Sequence, residues 1–377
     1  MVGRAVLAAL AAFGTGSAST PPLPLPGRVS ELAADGGRVA ILLRTTTGDC
    51  TRDRVAIWGP VGRTFVPIGA SACTASTSTG AGLYGVALAG TSVAYVQFAG
   101  GNVRELRLRL ATLARPRPVT VASAAFGVDQ GSGTFIGRIV GDRSLLAFDW
   151  WSLCAPCAAA TPVAPRSTVW RLVPSGSACP GAGGLGALPR CRLVRETTGP
   201  LRLLAVGGGR VAMTAGDRGV EVRSTDGTPL YAGVFPGAMR AARIDGGVLV
   251  VLTRSGMENS LWAVDTNTAD GRLTGPWSLP PSRSSGDAVC GDPSGCRLAA
   301  LRLEDFQSGI AVYVAGRDVH LLRLSDKRDV RIRAPGPAPV HAQLEPSGLS
   351  YSYRAAASPG RGRVAFVPMA AVLARFR

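Results

Sequence analysis

The sequence predicts an all-β fold, a β-propeller most simply built as seven blades of four antiparallel strands. Three observations lead there. A short phrase recurs seven times, its spacing matches one propeller blade, and the segments between copies read as strands separated by turns. The phrase is a small or turn residue, one or two spacers, then Val-Ala or a close variant opening an apolar strand. Copies fall at 36–40, 90–94, 141–146, 208–212, 246–249, 308–311 and 347–350. From Val39 to Leu349 there are six steps across 310 residues, about 52 per step. A four-stranded sheet cannot bury both faces alone, whereas radial stacking covers each face with a neighbour.

Within each unit the phrase opens the second strand, and a short alternating run before it, such as 86–89 or 243–245, is the first. Third strands are expected at 54–58, 105–110, 168–172, 219–223, 260–264, 319–324 and 363–367. Fourth strands are expected at 64–68, 118–121, 191–194, 229–234, 276–279, 329–333 and 371–376. Period-two alternation and β-branched residues support strands, and no segment carries a helical stripe. To seal the ring, either 371–376 or a strand supplied by 28–30 completes the last blade. The 49 Gly and 27 Pro fit frequent turns without signalling a low-complexity chain.

Residues 1–18 have the form of a signal peptide, with Arg4, an apolar run over 5–13 and small residues Gly16 and Ala18 at the cleavage positions. A Pro-rich linker is expected over 19–27 and the propeller, as one domain, over 28–377. The apolar run is too short to span a bilayer, and no later stretch reaches that length. A secreted, extracytoplasmic, monomeric protein without a membrane span is therefore expected.

Eight cysteines suit that compartment. In a four-stranded blade the loops after strands two and four share one rim, which pairs Cys50 with Cys73 and Cys290 with Cys296 there. Cys179 and Cys191 flank a strand three to strand four connection on the opposite rim. Cys154 and Cys157 remain and close a tight ring; the spacing is that of thiol exchange sites, but without a βαβ context it reads as a staple.

The formal charge is +17, and 40 of the 41 cations are arginine. No nucleic-acid-binding motif accompanies the charge, so nucleic acid is not expected as a partner. An unknown protein or an anionic cell-envelope polymer is.

Chemistry-bearing candidates are few. His320 and His341 are the two histidines, expected on a third and a first strand of different blades, which leaves no three-histidine metal site. No GxSxG elbow is present. Trp58, Trp170 and Trp262 fall in third strands and read as wedge-fillers between blades. Trp150 and Trp151 are consecutive at the end of a second strand; because successive residues face opposite ways, one of them is the candidate binding contact. Asp265, Asn267, Asp270 and Gly271 nearly spell a calcium loop but lack its spacing and closing Glu, so a hairpin turn is expected.

The segment Leu261-Trp262-Ala263-Val264-Asp265, with Gly271 and Trp277, resembles the repeat of quinoprotein-type (PQQ-like) propellers. The likeness implies the fold and, being confined to one unit, gives no ground for the quinone; no cofactor and no metal are expected. A looser resemblance to TolB-type and other secreted bacterial propellers covers the whole repeat region. The function expected is that of a non-catalytic scaffold binding a ligand or protein at the rim bearing Cys50, Cys73, Cys154, Cys157, Cys290 and Cys296. The alternative is an extracellular propeller hydrolase or lyase acting on a glycan or ester, with Asp129, Asp142 and Asp149 as its acids.

Overall fold

The structure is a computed structural model that describes residues 20–75, 80–128, 131–153, 166–182, 190–216, 218–268, 271–280 and 301–377. Its strands fall into groups of four. A leading strand β1 (Thr20–Pro24) precedes the first unit, β2 (Arg28–Asp35), β3 (Arg38–Thr47), β4 (Cys50–Gly59) and β5 (Thr64–Ala70), with β6 (Thr74–Ala75) added against β4. The second unit is β7 (Ala81–Ala89), β8 (Ser92–Gly100), β9 (Val103–Thr112) and β10 (Arg115–Gly127). The third is β11 (Ser132–Asp142), β12 (Leu145–Leu153), β13 (Arg166–Val173) and β14 (Arg190–Thr197). β15 (Leu203–Gly207), β16 (Arg210–Ala215), β17 (Gly219–Ser224) and β18 (Pro229–Val234) form the fourth. The fifth is β19 (Ala238–Asp245), β20 (Val248–Ser255), β21 (Glu258–Asp265) and β22 (Leu273–Leu279), and the sixth β23 (Leu301–Gln307), β24 (Ile310–Ala315), β25 (Asp318–Arg323) and β26 (Arg328–Arg333). The last is β27 (His341–Glu345), β28 (Gly348–Ala355) and β29 (Ser358–Pro368), completed by β1. Each group is an antiparallel meander in chain order, and a short β10–β11 pairing joins the second and third into one continuous sheet.

First strands touch one another in a closed cycle, β2 to β7, β11, β15, β19, β23, β27 and back to β2. Every seam between successive units holds its own apolar core. Between the first and second lie Leu42, Val55 and Ile57 against Leu83, Val93 and Tyr95; between the fifth and sixth, Val250, Leu261 and Trp277 against Leu303 and Tyr313. Val364 and Phe366 of the last unit meet Val39, Ile41 and Trp58 of the first, so the stacking closes on itself. This is a β-propeller, and the side chains in its seams each contribute about 1.5–3 kcal/mol on burial.

The recurring phrase is explained by its turns. A two-residue hairpin matching the strand twist needs positive φ at both central residues. Gly36 and Gly37 adopt 60° and 72°, Gly208 and Gly209 57° and 76°.

Closure corrects two expectations. Residues 28–30 belong to β2, the innermost strand of the first unit, and do not complete the last. Residues 371–376 are not a fourth strand: the chain forms a short helix, α1 (Met369–Ala374), whose Val372, with Phe376 beyond it, packs into the last core. The strand that seals the ring is β1, from the segment expected as a Pro-rich linker, with Leu23 opposite Val364 and Pro24 opposite Arg363. Proline suits an outermost strand because a missing N–H there breaks no second ladder. Trp58, Trp170 and Trp262 sit in seam cores. Of the expected cysteine pairs, Cys50–Cys73 and Cys179–Cys191 are formed, with Cα separations of 5.4 and 4.8 Å. Cys154, Cys157, Cys290 and Cys296 lie outside the described residues. Among the described residues no helix is long and apolar enough to cross a membrane.

Since β1 alone covers the outer edge of β29, Leu23→Asp is expected to cost on the order of 2 kcal/mol through lost burial and to lower the thermal unfolding midpoint. Deletion of residues 20–24 should lower it further, measured by circular dichroism.

Candidate functional site

Among the described residues, seven first strands converge on the axis and line a channel of about 1200 Å³. As the inner edge of its sheet, a first strand has backbone groups with no further strand to pair with, and its ladder is disturbed besides. Register shifts interrupt strand one in six units, between Val29 and Glu31, Tyr84 and Ala87, Ile136 and Ile139, Leu203 and Ala205, Met239 and Ala241, and Leu303 and Asp305. A bulge frees N–H groups from the ladder, and in a channel wall these need acceptors.

Carboxylates supply them. Glu31 accepts from Gly85 N (3.1 Å) through one oxygen and from Val86 N (2.8 Å) through the other. Asp149, on β12 and only 1% exposed, accepts from Arg138 N (2.6 Å) and from Leu203 N of the next unit (2.9 Å). Asp305 accepts from Leu344 N (2.7 Å) and Phe306 N (2.8 Å). Asp53, held by both arms of Arg44, takes Leu83 N. A second tier closes the far end. Asp35, Asp142, Asp245 and Glu345 each end a first strand and accept from the opening hairpin of the following unit, from Gly90, Gly208, Ser308 and Gly37 respectively. Along the chain these acids stand in every other unit, with Ala89, Gly207 and Gln307 in between, and in the closed ring Glu345 and Asp35 fall in adjacent units.

Toward the other end the wall is aromatic and cationic. Trp151 lies 5.1 Å from Phe135, ring centre to ring centre, and Phe135 is followed by Tyr84 at 6.3 Å. The Arg202 guanidinium sits 5.1 Å over the Trp151 ring. Of the two tryptophans singled out by sequence, Trp151 lines the channel, while Trp150 packs into the core between the second and third units. Strand alternation separates them, as their adjacency implies.

Between these ends lie Arg138 and Arg243. Arg243 donates through Nε to the Glu304 carbonyl (2.7 Å) and through Nη1 to the Ala242 carbonyl (2.8 Å). The Arg138 guanidinium has no hydrogen-bond partner among the described residues, and Glu31 and Asp149, whose charges act on it, are hydrogen-bonded to backbone N–H groups. Burial, then the Arg243 charge, lowers its pKa to about 10 despite the pull of Asp149, Glu31 and Glu304.

Burial pushes the Asp149 and Asp305 carboxyls up to about 6 and Glu345 up to about 7. Glu304 goes the other way, to about 2: burial opposes ionisation, and Arg302 (2.6 Å) and His341 (3.8 Å) outweigh it. His320 is elsewhere, stacked on Tyr313 and 3.1 Å from Asp329. Among the described residues no three His, Cys, Asp or Glu side chains group as metal ligands. Asp265 caps its own turn by accepting from Asn267 N (2.9 Å).

Sequence reasoning missed Glu31, Arg138, Arg243 and Asp305. The one signal available was a charged residue inside an otherwise apolar first strand, as in Ile136-Gly137-Arg138-Ile139.

No family model and no curated protein matches the chain. Among solved structures it is similar to an oligogalacturonate lyase in complex with manganese, with TM-score 0.51 and 12% identity over 94% of this chain and 100% of that one. It is also similar to the acylaminoacyl peptidase of Pyrococcus horikoshii, with TM-score 0.53 and 8% identity over 90% of this chain and 51% of that one. The β-propeller domain of the trilobed protease from Pyrococcus furiosus aligns with TM-score 0.39 and 9% identity, over 82% of this chain and 96% of that domain. At these identities the likeness concerns the propeller fold alone.

The raised carboxyls set a pH dependence. Between their ordinary values, 3.8 for Asp and 4.5 for Glu, and the folded values of about 6 and 7, the folded protein holds protons the unfolded chain has released. Stability therefore increases as pH falls through that window. The depressed Glu304 contributes stability above pH 4.5 that is lost as pH falls toward about 2. The unfolding midpoint should rise on acidification from neutral pH to near 5 and decline below about 4, measured by calorimetry across that range.

Proposed function

We propose that the protein is a secreted propeller scaffold that binds a small ligand in its central channel without catalysing its conversion. The observation that carries this is the channel itself: about 1200 Å³, with a polar and aromatic wall fixed by the packed four-stranded units. Concave, preformed sites of this kind are where small ligands bind. The expected site thus moves from the cysteine-bearing rim into the bore, with Trp151 as the shared element.

The binding reading is favoured over the enzyme by how the acids are used. Glycoside chemistry needs two carboxyl groups free to face the substrate. Asp142 and Asp149 instead fasten neighbouring units, and Asp129 lies outside the described residues. A partner among anionic cell-envelope polymers fits the same account. Eight of the 24 acidic residues and five arginines line the channel, so the rest of the chain carries a formal charge of +20 against +17 for the whole.

The test screens a fragment library against the purified chain by saturation-transfer NMR, then repeats it with Gln343→Trp, which places an indole in the bore. Channel binders should lose about tenfold or more in affinity in a variant whose unfolding midpoint is unchanged. Hits indifferent to the plug, or hits consumed to product by the wild type, would overturn the reading.

A further inference from the structure

We infer that the channel ligand carries a carboxylate, gripped by the guanidinium of Arg138 with Arg243 beside it. The inference deepens the channel-binding reading and rests on it.

The first ground is unmet hydrogen bonding. A guanidinium carries five N–H donors in a fixed fork, and Arg138 has no protein acceptor for any of them among the described residues. The neighbouring carboxylates Glu31 and Asp149 are turned to main-chain donors and make no hydrogen bond to the guanidinium. Arg243 has Nε and Nη1 engaged on carbonyls, and among the described residues no acceptor is found for Nη2. Both arginines line the same bore, and each is partly exposed to it. Two neighbouring guanidiniums, attracted by the acids around them but with donors that those acids do not take up, are set to receive an oxyanion from outside the chain.

Geometry and charge then select among oxyanions. A planar carboxylate matches the guanidinium fork with two parallel bonds. A phosphate of nearly two negative charges meets a wall already holding Glu31, Asp149, Glu304 and Asp305, so a monoanion is favoured. The body of the ligand has an apolar side available. Gly137, next to Arg138, lies so close under Trp151 that a Cβ there would come within 2.7 Å of the indole, which places the Trp151–Phe135 wall beside the clamp.

The experiment titrates matched pairs, phenylacetate with phenylacetamide and N-acetylglycine with N-acetylglycinamide, and inorganic phosphate, at constant ionic strength into wild type, Arg138→Gln and Arg138→Lys. The wild type should bind each carboxylate about tenfold or more tighter than its amide. Arg138→Gln should abolish that preference with an unfolding midpoint equal to or above wild type, because a guanidinium whose donors lack protein acceptors is costly to bury. Arg138→Lys, keeping charge without the fork, should retain part of it. Amides binding as well as carboxylates, phosphate binding as tightly as either, or an Arg138→Gln midpoint several degrees lower would each overturn the inference. If these probes fail while other fragments occupy the bore and are expelled by Gln343→Trp, only the carboxylate assignment falls; if nothing enters the bore, both readings fall.

Discussion

The inner edge of every sheet must find acceptors for its main-chain N–H groups in a place where no further strand is present to provide them. Seven such edges face one another around the axis. An unpaired N–H costs about as much as a lost hydrogen bond, and an edge left open invites foreign strands. Here the remedy is a carboxylate from one unit laid on the main chain of the next, as Glu31 does for Gly85 and Val86 and Asp149 for Leu203. These bonds join sheets that the apolar seams alone would leave free to slide, since hydrophobic packing has little directionality.

That use of the acids shapes everything else in the bore. A carboxylate turned to main-chain donors still carries charge into the bore. The Arg138 guanidinium stands in the field of Glu31 and Asp149 without a hydrogen bond to either. Burial also pushes several of the fasteners toward protonation, so the acids that hold the ring are the groups through which pH acts on it. Carboxylates that would suggest hydrolysis in a sequence are, in the fold, parts of the frame.

The repeat was legible because it is local: two-residue hairpins need residues that tolerate positive φ, so Gly-Gly stands ahead of three of the apolar strands, at 36–37, 208–209 and 246–247. The cysteine pairs at Cys50–Cys73 and Cys179–Cys191 followed from which rim each loop occupies, a consequence of alternating strand direction. Closure was not legible. Thr20–Pro24 has three prolines and no alternation, and only the empty edge of β29 makes it a strand. Residues 371–376 alternate no worse than several true fourth strands, yet with that edge already taken by β1 the chain turns into a helix and buries Val372 instead.

For the site, local pattern placed Trp150 and Trp151 on opposite faces but could not say that Trp151 faces the axis. It gave no weight to Glu31, Arg138 or Arg243, each an isolated charge between apolar or small neighbours. Composition, turn chemistry and strand period, all carried by near neighbours in the chain, settled that this protein is a ring of small sheets. Which charges meet inside the ring was decided by tertiary structure alone, because Glu31 and Val86, or Asp149 and Leu203, are more than fifty residues apart and become neighbours only when separate units are packed around one axis.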